Sequence, residues 1–356
     1  MIGELEQRPV CRREFLRRTA RQLAIAGAVS LGGCLRAQPE SGGPSAAAPT
    51  VSPTAARATG RARVVRVTHP DAFRGDTVCT DAVEQMVDAG MRKLLGTATA
   101  AEAFRRLFQP GDVVGLKVNC LAGPLLSTHP EVTYCVARGI VAVGIPSRNV
   151  IVYDRESSEL ASAGYDVTVR PADVRCIGSD MAGYDSTPTV QGTVGTCFSR
   201  IVSERVSALV NLPVLKDHDL AGLSGALKNH YGSIHNPNKL HMNHCSPYVA
   251  DLNCAPVLRG KQRLVVCDAL LCCYDGGPSH KPETTEVRNS LLFSEDAVAV
   301  DWLCARMIDE LRAARQLPSL KEEGREPRFI AEAAAPSRGI GVAGESAVEV
   351  VDVPLG

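Results

Sequence analysis

The chain is 356 residues long, 45% apolar and 22% charged, with only 4% aromatic residues. These are the proportions of a folded globular protein and not of a disordered, collagenous or multi-spanning one. Its zero net charge hides an asymmetry, since residues 1–36 hold seven arginines against three glutamates and leave an excess of acids in the rest, whereas a nucleic-acid binder normally shows a basic body.

The N-terminus reads as an address. Arg12-Arg13-Glu14-Phe15-Leu16 is a twin-arginine pair followed by apolar residues, and Leu23–Gly33 is a Gly/Ala-rich apolar run of eleven residues, too short to span a bilayer. Leu31-Gly32-Gly33-Cys34 resembles a lipoprotein signal-peptidase box, which implies acylation of Cys34. Residues 1–34 are therefore expected to form an export signal, 35–60 a flexible Pro/Ser/Ala/Gly linker, and 61–356 the folded body. The expected location is periplasmic or otherwise extracytoplasmic, on a lipid anchor, with the twin-arginine translocase and the membrane as partners. Proteins on that route cross already folded, commonly after a cofactor has been inserted, so a metal ion or other cofactor is expected.

From residue 61 short β-branched runs alternate with helical segments. This pattern predicts an α/β fold, a layered mixed or parallel sheet flanked by helices, as a single large body or two closely packed lobes. A strand at 63–67 precedes a helix at 80–95, capped by Thr80 or Asp81. A strand at 112–118 precedes a helix that Pro130 opens and Gly144 closes. Next come a strand at 150–153, a short helix at 157–163, loops over 178–200 and a buried strand at 206–212. Helices at 219–230 and 246–258, a strand at 263–267, helices at 295–312 and 326–335 and an edge strand at 346–353 complete the order. Eleven cysteines lie in the body, an odd number set mostly in apolar runs, which reads as small buried hydrophobes and not a disulfide framework. The spacing from Cys245 to Cys273 matches neither ferredoxin pattern, so an iron–sulfur cluster is not expected.

Chemistry is concentrated in one segment. Five of the eight histidines, His218, His230, His235, His241 and His244, fall between 218 and 244, and imidazoles bind metals and titrate near neutrality. His230, His241 and His244 are candidate metal ligands, with Asp268 and Asp301, each of which interrupts an apolar run. Lys117-Val-Asn119 and Asn211-Leu-Pro-Val-Leu-Lys216 stand at the carboxyl ends of buried strands, where open α/β sheets place their ligands. Lysines and asparagines there suit a carboxylate or phosphate, so Lys117, Asn119, Asn211 and Asn229 are the candidate binding residues. His218, Lys228 and Lys216 are the candidates for the catalytic role, as acid, base or fixed charge. Asp296 is expected to cap the helix that carries Asp301. A Gly-x-Gly-x-x-Gly after a strand, a P-loop and a Gly-x-Ser-x-Gly are all missing, which argues against standard dinucleotide, nucleotide-triphosphate and serine-hydrolase sites.

Several of these pieces recur together in a known family. Lys117-Val-Asn119, Thr128-His129-Pro130, Asn211 to Lys216 with His218, Ala226-Leu-Lys-Asn-His-Tyr-Gly232, Asp268-Ala-Leu270 with Gly276-Gly-Pro278, and Glu295 to Asp301 together resemble domain of unknown function 362, over roughly 110–353. The resemblance implies an association with iron–sulfur proteins, although this chain lacks their ferredoxin-like cysteine motif, and it implies no assigned activity. His218, Lys228 and His244 also stand in the order of three residues of the lactate racemase family. That likeness implies His218 as acid/base, Lys228 as covalent tether of a nickel-pincer cofactor and His244 as a metal ligand. The function expected from the sequence is an exported cell-envelope protein with a metal- or cofactor-dependent site for a small anionic substrate. Its rival is a non-catalytic metal- or ligand-binding or maturation protein serving iron–sulfur or redox systems.

Overall fold

The computed structural model describes residues 61–356 apart from 169, 171 and 172. The export signal, Cys34 and the linker expected over 1–60 lie outside the described residues.

A mixed nine-stranded sheet organises the body. Its strands are β1 (Ala62–Thr68), β2 (Val114–Lys117), β3 (Val150–Tyr153), β4 (Arg175–Cys176), β5 (Ala208–Asn211), β6 (Val214–Lys216), β7 (Gln262–Cys273), β8 (Thr285–Ser294) and β9 (Val348–Pro354). They lie in the order β9-β1-β8-β7-β5-β2-β3-β4, with β6 beside the carboxyl half of β7. All are parallel except β8, which runs against both β1 and β7. Strands β2, β3 and β5 are buried at every position, the property of parallel strands covered on both faces.

Helices α1 (Thr80–Leu95), α2 (Ala100–Leu107) and α3 (Pro130–Val141) cover one face, where Met86, Phe104 and Val136 share a core with Val65, Val67, Val114 and Leu116. A short helix, α4 (Ser157–Ser162), follows β3. The other face carries α5 (Gly225–Asn229), α6 (Tyr248–Asn253), α7 (Ala297–Ala313) and α8 (Phe329–Ala334), with Leu227, Val249, Val298 and Phe329 packed in one core with Val64, Ile151, Leu209 and Val265. The described residues belong to one compact unit with no division into lobes. Eight of the eleven cysteines are buried, as small apolar fillers are.

Helix α1 and strand β3 occupy the residues the sequence predicts, and Asp296 caps α7, its Oδ1 accepting from Val298 N–H at 2.8 Å and Ala299 N–H at 3.0 Å. Other boundaries move for identifiable reasons. The residue before α1 is Cys79, which makes no side-chain cap, so neither Thr80 nor Asp81 fills that role. The helix expected over 219–230 is only α5, because Gly222 (φ 73) and Gly225 (φ 56) both take left-handed backbone. The helix expected over 246–258 splits into α6 and a turn at Pro256–Arg259, since Pro256 has no N–H with which to continue α6. Strand β7 runs through Asp268 to Cys273 because that carboxylate is buried and hydrogen-bonded to His129, not released to solvent. The Gly/Thr-rich stretch holds a small hairpin, Thr189–Gln191 with Val194–Thr196. The sequence pattern missed α2 and β8 altogether.

Candidate functional site

A cavity of about 220 Å³ opens at the carboxyl ends of the parallel strands, the expected place for a ligand in such a sheet. Lys117 and Asn119 enter it from β2, Asp154 and Arg155 from β3, and His218 from just beyond β6. Lys228, Asn229 and Tyr231 come from α5 and the turn after it, and Asn238 and His241 from the next loop.

The floor is a continuous polar array. Lys117 Nζ donates to Asp154 Oδ1 at 2.7 Å, to Val118 O at 2.5 Å and to Asn229 Oδ1 at 3.2 Å, which uses all three of its protons. Asp154 Oδ2 accepts from Cys120 N–H at 2.8 Å. Asn229 Nδ2 donates to Lys117 O at 3.2 Å and to Asn211 Oδ1 at 2.8 Å, tying the ends of β2 and β5 together. Asn119 Nδ2 reaches Asn229 Oδ1 at 3.3 Å, and Asn119 Oδ1 accepts from Lys216 Nζ at 2.8 Å. Lys216 is fully buried and also donates to Leu126 O at 3.3 Å; burial pushes its ammonium down to about 8. Gly232 is required beside this array, since a Cβ there would overlap Asp154 Oδ1 and stand 2.5 Å from Lys117 Nζ.

The wall is formed by Lys228, His241 and His218. Lys228 Nζ lies 3.1 Å from His241 Nε2 and 4.9 Å from the centroid of the Tyr231 ring. No carboxylate is within ion-pair distance of it among the described residues, and burial pushes it down to about 8. His241 Nδ1 faces Pro237 O at 3.1 Å, so it carries the proton and Nε2 accepts from Lys228. Burial and the adjacent Lys228 keep that imidazole below its ordinary range. His218 stacks on His241, with ring centroids 5.6 Å apart. Its Nδ1 accepts from Leu220 N–H at 3.1 Å and Ala221 N–H at 3.3 Å. Asp219 Oδ1 stands 3.0 Å from the same nitrogen, but that carboxylate is exposed and takes Leu220 N–H itself at 2.8 Å. Two backbone donors thus fix a lone pair on Nδ1 and leave the proton on Nε2. Burial, then the positive charge of Lys228, pushes the His218 imidazolium down to about 2, so it stays neutral.

The structure therefore brings Lys117, Asn119, Asn229, His218 and Lys228 to one cavity, with Lys216 and Asn211 directly behind it. The metal candidates do not converge. His241 lines the cavity, but His230 is buried between Gln262 Oε1 at 2.9 Å and Ser233 Oγ at 3.4 Å. His244 is exposed, with Nδ1 2.8 Å from Leu220 O, and it does not line the cavity that His218 and Lys228 share. Asp268 accepts from His129 N–H at 2.9 Å and Nδ1 at 2.8 Å and from Leu270 N–H at 3.1 Å. Burial alone would lower His129, yet the charge and hydrogen bond of Asp268 hold it above its ordinary value. Asp301 accepts from Ala226 and Leu227 N–H at the start of α5 and is a helix cap. Among the described residues no group of three or more His, Cys, Asp or Glu is placed to share a metal ion.

Several cavity residues, Asp154, Arg155, Tyr231 and Asn238 among them, escaped sequence reasoning. Asp154 and Arg155 follow Val150-Ile-Val-Tyr153 directly, the same strand-end signal that selected Lys117. Tyr231 sits inside the Lys-Asn-His-Tyr-Gly run without any polar signal of its own.

Among curated proteins no relative matches the sequence. A crystal structure of a Thermotoga maritima protein is similar at 13% identity and a TM-score of 0.37, covering 69% of this chain and 61% of that one; the chain thus spans under two thirds of that protein's length. The family model described as Domain of unknown function (DUF362) matches residues 114–306, the span that contributes every cavity residue named above, and the chain belongs to that family.

Proposed function

We propose that the cavity is an active site for a small anionic substrate and that its chemistry is proton transfer between Lys228 and His241, with His218 Nε2–H as a hydrogen-bond donor. The observation that carries this reading is Lys228, a lysine in the cavity wall with an imidazole and not a carboxylate as its hydrogen-bond partner. Counting donors supports it. Lys117 and Asn229 have spent all their protons on the protein, whereas His218 Nε2, one N–H of Asn119 and two of Lys228 have no acceptor among the described residues. An anion accepts from all of these, and Lys216 behind Asn119 adds to the positive field. With Lys228 at about 8, its ammonium and amine forms are both accessible near neutral pH, as an acid/base group requires.

The test is calorimetric titration of the protein with phosphate, lactate and pyruvate, beside Lys228→Met. One lost charge-assisted hydrogen bond is worth about 1.5–3 kcal/mol, so the variant should bind roughly tenfold or more weakly. Equal affinity in the two proteins overturns the reading.

The twin-arginine pair and Cys34 support placing this site on the extracytoplasmic side, delivered by the translocase and held by a lipid anchor. A metal ion or cofactor belongs to the proposal through that route, and elemental analysis of protein folded in the cytoplasm tests it. Replacing Arg12 and Arg13 by lysine should retain the protein inside the cell, and Cys34→Ser should release it from membranes. Unchanged fractionation of both variants removes the export reading.

A further inference from the structure

We infer that the substrate carries an aldehyde or ketone carbonyl beside its anionic group, and that Lys228 condenses with that carbonyl to form an imine. This rests on the anion-site reading above and names its substrate class.

Three lysines serve the site, and their surroundings separate them. Lys117 is ion-paired with Asp154 at 2.7 Å and also donates to Val118 O and Asn229 Oδ1, with no proton to spare. Lys216 is fully buried behind Asn119, spending two protons on Asn119 Oδ1 and Leu126 O. Lys228 is the one that lines the cavity without a carboxylate at ion-pair distance among the described residues. Because His241 Nδ1 donates to Pro237 O, His241 Nε2 presents a lone pair to Lys228. An amine at Lys228 gives one N–H to that lone pair and keeps its own lone pair free for attack. A lysine becomes nucleophilic when burial favours its neutral form, and Lys228 is buried in the cavity wall with no carboxylate at ion-pair distance among the described residues.

The step balances without a redox partner. The Nζ lone pair forms a bond to the carbonyl carbon while the C=O π electrons move to oxygen. His241 Nε2 first takes the ammonium's extra proton, gives it to the oxygen as the bond forms, and takes a second from the nitrogen, leaving a neutral carbinolamine. That second proton passes from His241 to the hydroxyl, which departs as water while the nitrogen lone pair closes the C=N bond. The net change is ammonium plus carbonyl to protonated imine plus one water. His218 Nε2–H is the donor available to the carbonyl oxygen as it gains charge.

The experiment treats the full chain with pyruvate or glyoxylate in the presence of sodium cyanoborohydride, followed by intact mass measurement and peptide mapping. With pyruvate, the expected product carries one pyruvic acid less one oxygen atom at Lys228, in several-fold higher yield than at any other lysine. Lys228→Arg should still bind the anion and trap nothing, and His241→Gln should trap more slowly with a displaced pH profile. Lactate, which has no aldehyde or ketone carbonyl, should bind and leave no adduct. Binding of pyruvate without a preferred adduct at Lys228 overturns the imine while leaving the anion site standing. Failure of pyruvate, glyoxylate and lactate to bind at all overturns the anion site and the imine with it.

Discussion

Asp301 Oδ1 accepts the backbone N–H of Ala226 at 2.5 Å, so the second turn of one helix fixes the start of another. Its Oδ2 takes Leu227 N–H at 3.0 Å, one residue before Lys228. Gly225, at φ 56, lets the carboxylate come this close, since a Cβ there would overlap Asp301 Oδ1. Asp301→Ala leaves two buried N–H groups without acceptors and should cost about 1–3 kcal/mol in chemical denaturation, together with weaker anion binding through a displaced Lys228. Burial raises the Asp301 carboxyl to about 7. A folded value above the unfolded one contributes stability that is complete below about pH 4 and is lost as pH rises through 7. Asp301→Asn should flatten that decline, and a decline identical in wild type and variant would assign it to other groups.

The two lysines near 8 make affinity and stability respond to pH in opposite senses. Anion binding should weaken as pH rises through 8 and the ammonium groups of Lys216 and Lys228 are lost. Over the interval from about 8 to the ordinary lysine value near 10.5, the unfolded chain holds more protons than the folded one. The contribution of these groups to stability therefore rises across the interval in which binding fails. Parallel calorimetric titrations and melting curves from pH 7 to 10 check this, and a shared fall traced to general unfolding would refute it.

Asp217, next to His218 and fully buried, is paired with Arg325 Nη1 at 2.6 Å and takes Gly277 N–H at 3.1 Å. Burial raises its carboxyl even so. Arg325 also donates to His218 O at 3.4 Å, which makes it a positioning residue for that histidine. Removing one partner of a buried pair strands the other, at a cost of about 3–5 kcal/mol. Arg325→Met should therefore be strongly destabilising, and Arg325→Met combined with Asp217→Asn appreciably less so. If the double variant is as unstable as the sum of the single ones, the pair is not coupled.

Lys117 and Lys216 were legible because each ends a short run of buried apolar strand, a place where a polar residue is costly unless it has a task. The histidines were legible only in part. His218 and His241 meet in the cavity wall, but His230 and His244 leave it because 230–245 winds through short turns, with Asn243, His244 and Cys245 all at positive φ. That backbone turns His244 to the surface, while the buried turn of His230–Ser233 keeps His230 behind the floor. Arg325 could not be found from sequence, since it lies 108 residues from Asp217 and nothing local marks it. Strand β8 was lost because its first half, Thr-Glu-Val-Arg-Asn, is polar and only partly buried; β1 and β7 supply the reason it is extended.

The parallel course of β1 with β9, and its opposition to β8, puts the first described strand's start and the cavity at opposite rims of the sheet. Ala62 begins β1 at the amino ends of the parallel strands, whereas Lys117, Asp154 and Lys216 stand at their carboxyl ends, where the cavity opens. The attachment of whatever precedes residue 61 and the doorway to Lys228 are thus assigned to different rims of one sheet.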